Sequence, residues 1–435
     1  EIIEKLKSYC NTYIGKDIAS LLVPSNKKDV VKNSLEETNE AMSLALRASF
    51  PNFMEIKPID VSLKRLASGL TLTSSQLLNL KNIFQLASNL NNYINQDFLE
   101  ESYYPLLFNL FNKLYSNKSV IDSVNNAIID ENTINDKASK NLYDIRRKKR
   151  KLEQNIKEEL NKLLRSKYVQ ESIITIRNDR FVIPVKEEYR SSVNGLVHDI
   201  SNAGSTVFIE PLSVFEMNNE LNELSAKEEL EIEKILQELS NLFSPYYEEL
   251  KLDIDLIGKL DFIFAKAKFA KELDANIPHI NDKKEINLVN ARHPLISKDS
   301  VVPISLSLGT EFQVLLITGP NTGGKTVTLK TVGLLSCMAC SGLAIPADAK
   351  SSIYVFDKIF TDIGDDQSIS DSLSTFSSHM KNIVHIVNNA TENSLILVDE
   401  LGSGTDPIEG ANLAISILDY LKSIGSLIIA TTHYQ

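Results

Sequence analysis

Eight residues, Gly319-Pro320-Asn321-Thr322-Gly323-Gly324-Lys325-Thr326, limit what the chain can fold into more than any other stretch. They follow Val314-Leu315-Leu316-Ile317, an apolar run without polar alternation, the pattern of a strand buried on both faces. They precede residues 327–335, whose length and apolar content suit a buried helix. Strand, glycine loop and helix in that order are the setting a phosphate-binding loop requires. The glycines let backbone N–H groups curl round a phosphate where side chains would collide, and the helix N-terminus adds partial positive charge. In such a loop Lys325 reaches the β and γ phosphates and the Thr326 hydroxyl ligates Mg²⁺. All eight residues are therefore expected to hold a nucleoside triphosphate.

A second apolar run, Ser394-Leu395-Ile396-Leu397-Val398, ends in the paired carboxylates Asp399 and Glu400. Asp399 is expected to hold Mg²⁺ through water, and Glu400 to orient and deprotonate an attacking water. Leu401-Gly402-Ser403-Gly404-Thr405-Asp406 reads as a tight glycine-rich turn. One more strand, from Ser426 to Thr432, runs into His433, which either contacts the γ phosphate or packs as an ordinary histidine. Between loop and carboxylates, Leu373-Ser374-Thr375-Phe376-Ser377-Ser378-His379 is a hydroxyl-rich loop before a helix at 380–388.

The 435 residues suffice for two to four domains, and 43% hydrophobic with 24% charged residues is ordinary for a soluble globular chain. The longest mostly apolar stretch, 332–345, is too short to span a bilayer, so no membrane partner is expected. No signal peptide opens the sequence, and the first residue is not Met. Of three cysteines, Cys337 and Cys340 form a Cys-x-x-Cys inside an apolar helical run, which reads as core packing. Reduced thiols and no leader point to the cytoplasm. A net charge of −11 argues against indiscriminate coating of nucleic acid, so any polyanion contact has to come from local basic patches.

Residues 1–134 read as mostly helical, with capping boxes at Ser34-Leu35-Glu36-Glu37 and Thr73-Ser74-Ser75-Gln76. Residues 135–250 hold two long helices, about 135–168 and 212–243, with coiled-coil rhythm and a β-rich stretch at about 170–210 between them. Two helices that run out and back make an arm of roughly 50 Å with a tip. Arg146-Arg147-Lys148-Lys149-Arg150-Lys151 puts six positive charges on the first helix, and the tip adds Arg177, Arg180, Lys186 and Arg190. Such a cluster either attracts phosphate backbone or is a solvated helix face. Residues 251–285 return as helix and linker, and 286–435 form the nucleotide-binding part.

Taken together these residues resemble the MutS branch of the ABC-type ATPases. The matching pieces are Arg292-His293-Pro294, the phosphate loop with Ile317-Thr318, Ser374-Thr375-Phe376, Asp399 to Thr405, and Ala430-Thr431-Thr432-His433-Tyr434. The stretch from Thr175 to Lys186 is similar to the second bacterial MutS group, which lacks the mismatch-reading domain. The resemblance implies a multidomain fold: an all-α core, a long antiparallel helical lever with a small β-rich clamp, and an α/β P-loop ATPase domain. It implies ATP and Mg²⁺ as ligands, a homodimer in which Ser374 contacts the γ phosphate bound by the other subunit, and His433 at the γ phosphate. It further implies action on branched or duplex DNA in suppressing recombination, and rescue of collided ribosomes by subunit splitting.

Three departures from the family accompany this. Phe53-Met54-Glu55 fits the mismatch-wedge pattern without an α/β domain around it and is taken as chance. Val301-Val302 stand where an aromatic adenine stacker is found in wedge-bearing members. The chain stops two residues after His433, so nuclease activity is not expected of these residues. A mismatch-repair-type sensor and a coiled-coil chromosome-tethering ABC protein are the competing readings. The second inserts its coil between phosphate loop and acidic strand, whereas here both long helices precede the loop.

Overall fold

The computed structural model describes residues 1–319, 324–364, 375–403 and 406–432. The chain forms two compact units that do not follow chain order. One comprises residues 57–85 and 115–251; the other comprises 1–56, 86–114 and 252–432 as far as described.

In the first unit the helices Lys140–Leu164 and Leu212–Phe243 lie antiparallel, since Ser139 reaches Glu231 while Arg146 and Lys149 reach Glu228. The first helix begins at 140 because the Ser139 hydroxyl accepts the Leu142 N–H at 3.0 Å as its N-cap. Its buried stripe is Leu142, Ile145, Leu152, Ile156, Leu160 and Leu164. From Leu152 onward the stripe advances by four residues at every step, the drift a 3.6-residue helix shows against a strict heptad.

Between these helices a four-stranded antiparallel sheet runs in the order Thr175–Arg177, Arg180–Lys186, Thr206–Pro211, Gly195–Ile200. Asn178 and Asp179, both at positive φ, make the tight turn joining its first two strands. Glu210, fully buried, accepts from Arg180 Nη1 at 2.7 Å and Asn218 Nδ2 at 2.7 Å, and meets His198 Nε2 at 2.6 Å. Asn218 also exchanges two hydrogen bonds with the Phe181 backbone, so sheet and helix are locked in one register. Thr73 and Gln76 form the reciprocal capping box that opens the helix Ser74–Ile94.

The second unit is built on a parallel sheet, ordered Val314–Thr318, Leu427–Thr432, Ser394–Val398, Lys358–Asp362. The two central strands are buried at every position, which explains their unbroken apolar sequence. The helix Lys325–Cys340 packs Leu329, Val332 and Leu335 against one face together with Leu395, Leu397 and Ile429. Ile383 and Ile386 of the helix Thr375–Asn389, with Ile417 and Leu421 of the helix Pro407–Ile424, join Ile396, Val398 and Ile428 in a separate cluster. A second sheet, His279–Ile280, Ser352–Ile353, Ile286–Ala291 and Ile304–Leu308, adds to the first cluster. Arg292 clasps the end of the helix Tyr247–Leu273 by donating to the carbonyls of Leu273 and Asp274.

One expectation is corrected here. Ser34 does not open a helix: it lies inside Lys28–Ala48, whose Val31 is already buried. Its hydroxyl instead receives Lys266 Nζ at 3.0 Å, and its side chain fills the space that a Cβ on Gly342 would need. Phe53 is buried against Phe264, with ring centroids 6.2 Å apart, so the Phe-x-Glu match is core packing.

Lys266 is wholly buried, and desolvation lowers its pKa to about 8. An unfolded lysine titrates near 10.4, so between these values the folded chain binds fewer protons than the unfolded chain. The stability Lys266 costs at neutral pH is therefore recovered as pH rises through that window. Relative to a Lys266→Met variant, the parent is expected to gain about 3 kcal/mol of unfolding free energy between about pH 7.5 and 10.5. Paired urea titrations across this range check it; a constant difference would refute it.

Candidate functional site

The carboxyl ends of the parallel strands gather the residues singled out above, the position where open α/β sheets bind ligands. Because Leu427–Thr432 inserts between Val314–Thr318 and Ser394–Val398, it has the phosphate-loop strand on one side and the acidic strand on the other. Gly319 leaves the first strand at φ 137°, and Gly324 enters the helix at φ 76°, conformations that L side chains rarely adopt. Gly324 is the N-cap and offers no side chain to the first turn of the helix. Lys325 is 4% exposed, and its Nζ donates to Gly319 O at 2.6 Å and Thr432 O at 3.3 Å. Its ammonium thus sits across the ends of two neighbouring strands. Thr326, the next residue, is half-buried.

The carboxylates are held just as locally. The Asp399 N–H donates to Asp362 O at 2.8 Å, and the Thr431 hydroxyl donates to Asp399 Oδ1. The same hydroxyl accepts the Glu400 N–H at 2.8 Å, so one side chain sets both acidic residues. Glu400 adopts φ 50°, a strained conformation for a non-glycine residue and one that clusters at functional sites. Leu401 N to Thr431 O at 3.0 Å and Ser403 N to Glu400 O at 3.0 Å fasten the turn. Gly402, at φ 85°, lies so close to Gly410 O that a Cβ would approach it to 2.5 Å. Asp406 then caps the helix Pro407–Ile424 by accepting from Ile408 and Glu409 N–H.

Gly319, Gly324, Lys325, Thr326, Asp399 and Glu400 thus belong to the ends of two strands flanking Leu427–Thr432 and to the helix Lys325–Cys340 with its N-cap. Pro320, Asn321, Thr322, Gly323, Ser374 and His433 lie outside the described residues. Sequence reasoning gave Thr431 no role in the site; the available signal was a hydroxyl residue near the carboxyl end of an otherwise apolar strand. It also missed Asp362, which is 7% exposed and receives His379 Nδ1 at 3.0 Å and Asn382 Nδ2 at 2.9 Å.

Cys340 is buried and Cys337 half-buried; burial pushes both thiols up, Cys340 to about 11, consistent with packing. Among the described residues no cluster of His, Cys, Asp or Glu is arranged to hold a metal by itself, and no helix is long and apolar enough to cross a membrane.

The basic run is partly spoken for. Arg146 lies between Asp136 and Glu228, each at 2.7 Å, and Lys149 meets Glu228 at 2.6 Å; both cations are largely covered. Arg146 and Lys149 together hold the Glu228 carboxylate below its ordinary range against the opposing effect of burial. At the tip, Arg177 pairs with Asp199, Arg180 with Glu210 and Arg190 with Glu187. Arg147, Lys148, Arg150 and Lys151 remain on the exposed face, where the Arg147–Asp144 and Arg150–Asp136 pairs are open to solvent and correspondingly weak.

A parallel sheet of this order, with a buried lysine and paired carboxylates at its carboxyl ends, makes this unit an α/β fold with a candidate ligand site at the strand ends. The family described as MutS domain V matches residues 315–435. The chain is 48% identical to Endonuclease MutS2 of Finegoldia magna, over 100% of this chain and 56% of that protein. It is 49% identical to Endonuclease MutS2 of Clostridium botulinum and 46% identical to that of Acetivibrio thermocellus, each over 100% of this chain and 55% of the relative. The chain therefore belongs to the MutS2-type family, and it spans about half the length of these curated relatives.

Thr431→Val keeps shape and volume but removes the hydroxyl that bridges Asp399 and Glu400. Losing both bonds in a buried setting costs about 1–3 kcal/mol of site organisation, which in a site that hydrolyses ATP corresponds to a drop in turnover of about five- to 150-fold. Steady-state ATPase assays of Thr431→Val and Thr431→Ser check this, with the serine variant expected to retain most activity.

Proposed function

We propose that the chain binds and hydrolyses ATP with Mg²⁺ and couples this to movement of its helical arm on DNA. The observation that carries the reading is the Lys325 ammonium spanning Gly319 O and Thr432 O, one strand away from the Thr431-bridged Asp399 and Glu400. In it, Lys325 and the loop 319–326 hold the phosphates, Glu400 takes a proton from the attacking water, and Asp399 and Thr326 hold Mg²⁺. The donors fit that ion: a carboxylate and a hydroxyl are hard oxygen ligands, as Mg²⁺ demands. When bound, Mg²⁺ would neutralise charge on the phosphates. Ser374 and His433 are assigned to the γ phosphate, Ser374 from the second copy of a homodimer.

In the same reading 1–134 with 251–285 form a core, 135–250 form the lever with its clamp at 170–210, and 286–435 form the ATPase domain. Branched or duplex DNA is the partner best supported, because an exposed row of cations on a long helix stands out against a net charge of −11. Collided ribosomes, the other target implied by the family, are a second arm of the binding test.

Glu400→Gln is expected to retain ATP while turnover falls by about two to four orders of magnitude, since the phosphate cradle stays intact and only the base is lost. Lys325→Ala is expected to lose ATP binding itself. Filter retention of labelled ATP alongside turnover separates the two, and normal ATP affinity in Lys325→Ala would remove the central claim.

Replacing Arg147, Lys148, Arg150 and Lys151 by Gln should flatten the log–log salt dependence of duplex binding by about three to four units, with basal turnover unchanged. Arg146→Gln, by contrast, strips a buried partner from Glu228 and is expected to lower stability rather than the salt slope. Titrations at several salt concentrations against duplex DNA, branched DNA and purified ribosomes decide between the targets.

A further inference from the structure

Asp362 ends the edge strand Lys358–Asp362 and carries a carboxylate that is 7% exposed. Its Oδ2 receives His379 Nδ1 at 3.0 Å, and its Oδ1 receives Asn382 Nδ2 at 2.9 Å. Asn382 Nδ2 also donates to Thr361 O at 3.1 Å. His379 and Asn382 are three residues apart on the helix Thr375–Asn389, so both face the strand end together. On its other side, the Asp362 backbone carbonyl accepts the Asp399 N–H at 2.8 Å. One residue therefore ties the helix, through its side chain, to the acidic residue of the next strand, through its backbone.

Holding the helix on the sheet does not require this clasp. Ile383 and Ile386 already bury themselves against Ile396 and Val398, and that apolar stripe is sufficient to dock a helix. Burying a carboxylate is costly unless every lone pair is matched, so an apolar residue at 362 would be the cheaper anchor. What the clasp adds is registration: it fixes the rotation and height of the helix against the strand end that presents Asp399.

We infer that Asp362, His379 and Asn382 form a positioning clasp for Asp399, and that Mg²⁺ affinity during ATP hydrolysis depends on it. This rests on the proposed ATPase reading and extends it to three residues that touch no reacting atom. Partners of a metal-holding carboxylate, one shell out, set its aim, and their loss weakens metal binding more than it weakens the fold.

The test is the Mg²⁺ concentration for half-maximal ATP turnover, measured on the full chain at saturating ATP, with ATP retention and melting temperature taken in parallel. His379→Leu removes the donor and should raise the Mg²⁺ midpoint by about tenfold or more, with ATP retention within about twofold of the parent. His379→Asn puts an amide N–H where Nδ1 was and should hold the midpoint within about threefold. His379→Gln, which carries its amide one bond further out, should behave like His379→Leu and replaces it where the leucine variant does not fold. An unchanged midpoint in His379→Leu or His379→Gln, or an equal rise in His379→Asn, overturns the inference while leaving the ATPase reading intact. A parent chain with no Mg²⁺-dependent turnover overturns both.

Discussion

The geometry of the candidate site depends on where one strand is laid. Leu427–Thr432 is last among the described strands, yet it pairs in parallel with both Val314–Thr318 and Ser394–Val398. Through it, Lys325 reaches a carbonyl 107 residues away, and Asp399 and Glu400 meet the side chain of Thr431. Parallel neighbours cannot be joined by a short turn; the helix Thr375–Asn389 lies between Lys358–Asp362 and Ser394–Val398 in the chain, and Pro407–Ile424 between Ser394–Val398 and Leu427–Thr432. Complete burial of the two central strands makes that insertion hard to rearrange: a shift by one residue would drive Ile428 or Leu397 into the opposite layer.

Local chemistry in this chain was readable, whereas partnerships across sequence distance were not. The helix Leu212–Phe243 matches the expected bounds, and the Thr73–Gln76 box and the Asp406 cap act through neighbours within three residues. Gly319 and Gly324 follow from backbone geometry that the motif itself demands. Ser34 misled because a capping box is only a spacing, and a helix that buries Val31 runs straight through it. The charge row at 146–151 concealed two kinds of residue, because Glu228, the partner that Arg146 and Lys149 share, lies on a helix more than seventy residues downstream. Asp362, His379, Asn382 and Thr431 likewise acquire meaning only when strand order places them together.

Buried charge recurs where register matters. Glu210 lies under Arg180, His198 and Asn218, tying a sheet to the helix that leaves it. Glu228 fixes the offset of two long helices whose apolar stripes alone would tolerate a one-turn slip. Asp261 accepts from Asn11 and Thr12 N–H and from the Thr12 hydroxyl, and it presses so close to Gly15 that a Cβ there would approach to 2.6 Å. Each arrangement costs desolvation, and each matches its lone pairs, so the return is one defined alignment rather than added stability.

The helix Lys325–Cys340 brings these two themes together, because it is gripped at both ends. At its start Lys325 is held by strand-end carbonyls; at its far end Cys340 O accepts Ser25 N–H at 2.9 Å, and Gly342 O accepts the Thr38 hydroxyl at 2.8 Å. Gly342, at φ 74°, leaves no room for a side chain against Ser34, and Ser34 in turn receives buried Lys266. A sixteen-residue helix is a rod of about 24 Å that does not compress. One stiff element thus links the strand-end carbonyls that hold Lys325 to the Lys28–Ala48 helix. The contact at that far end is polar and tight, beside a lysine whose charge the interior penalises.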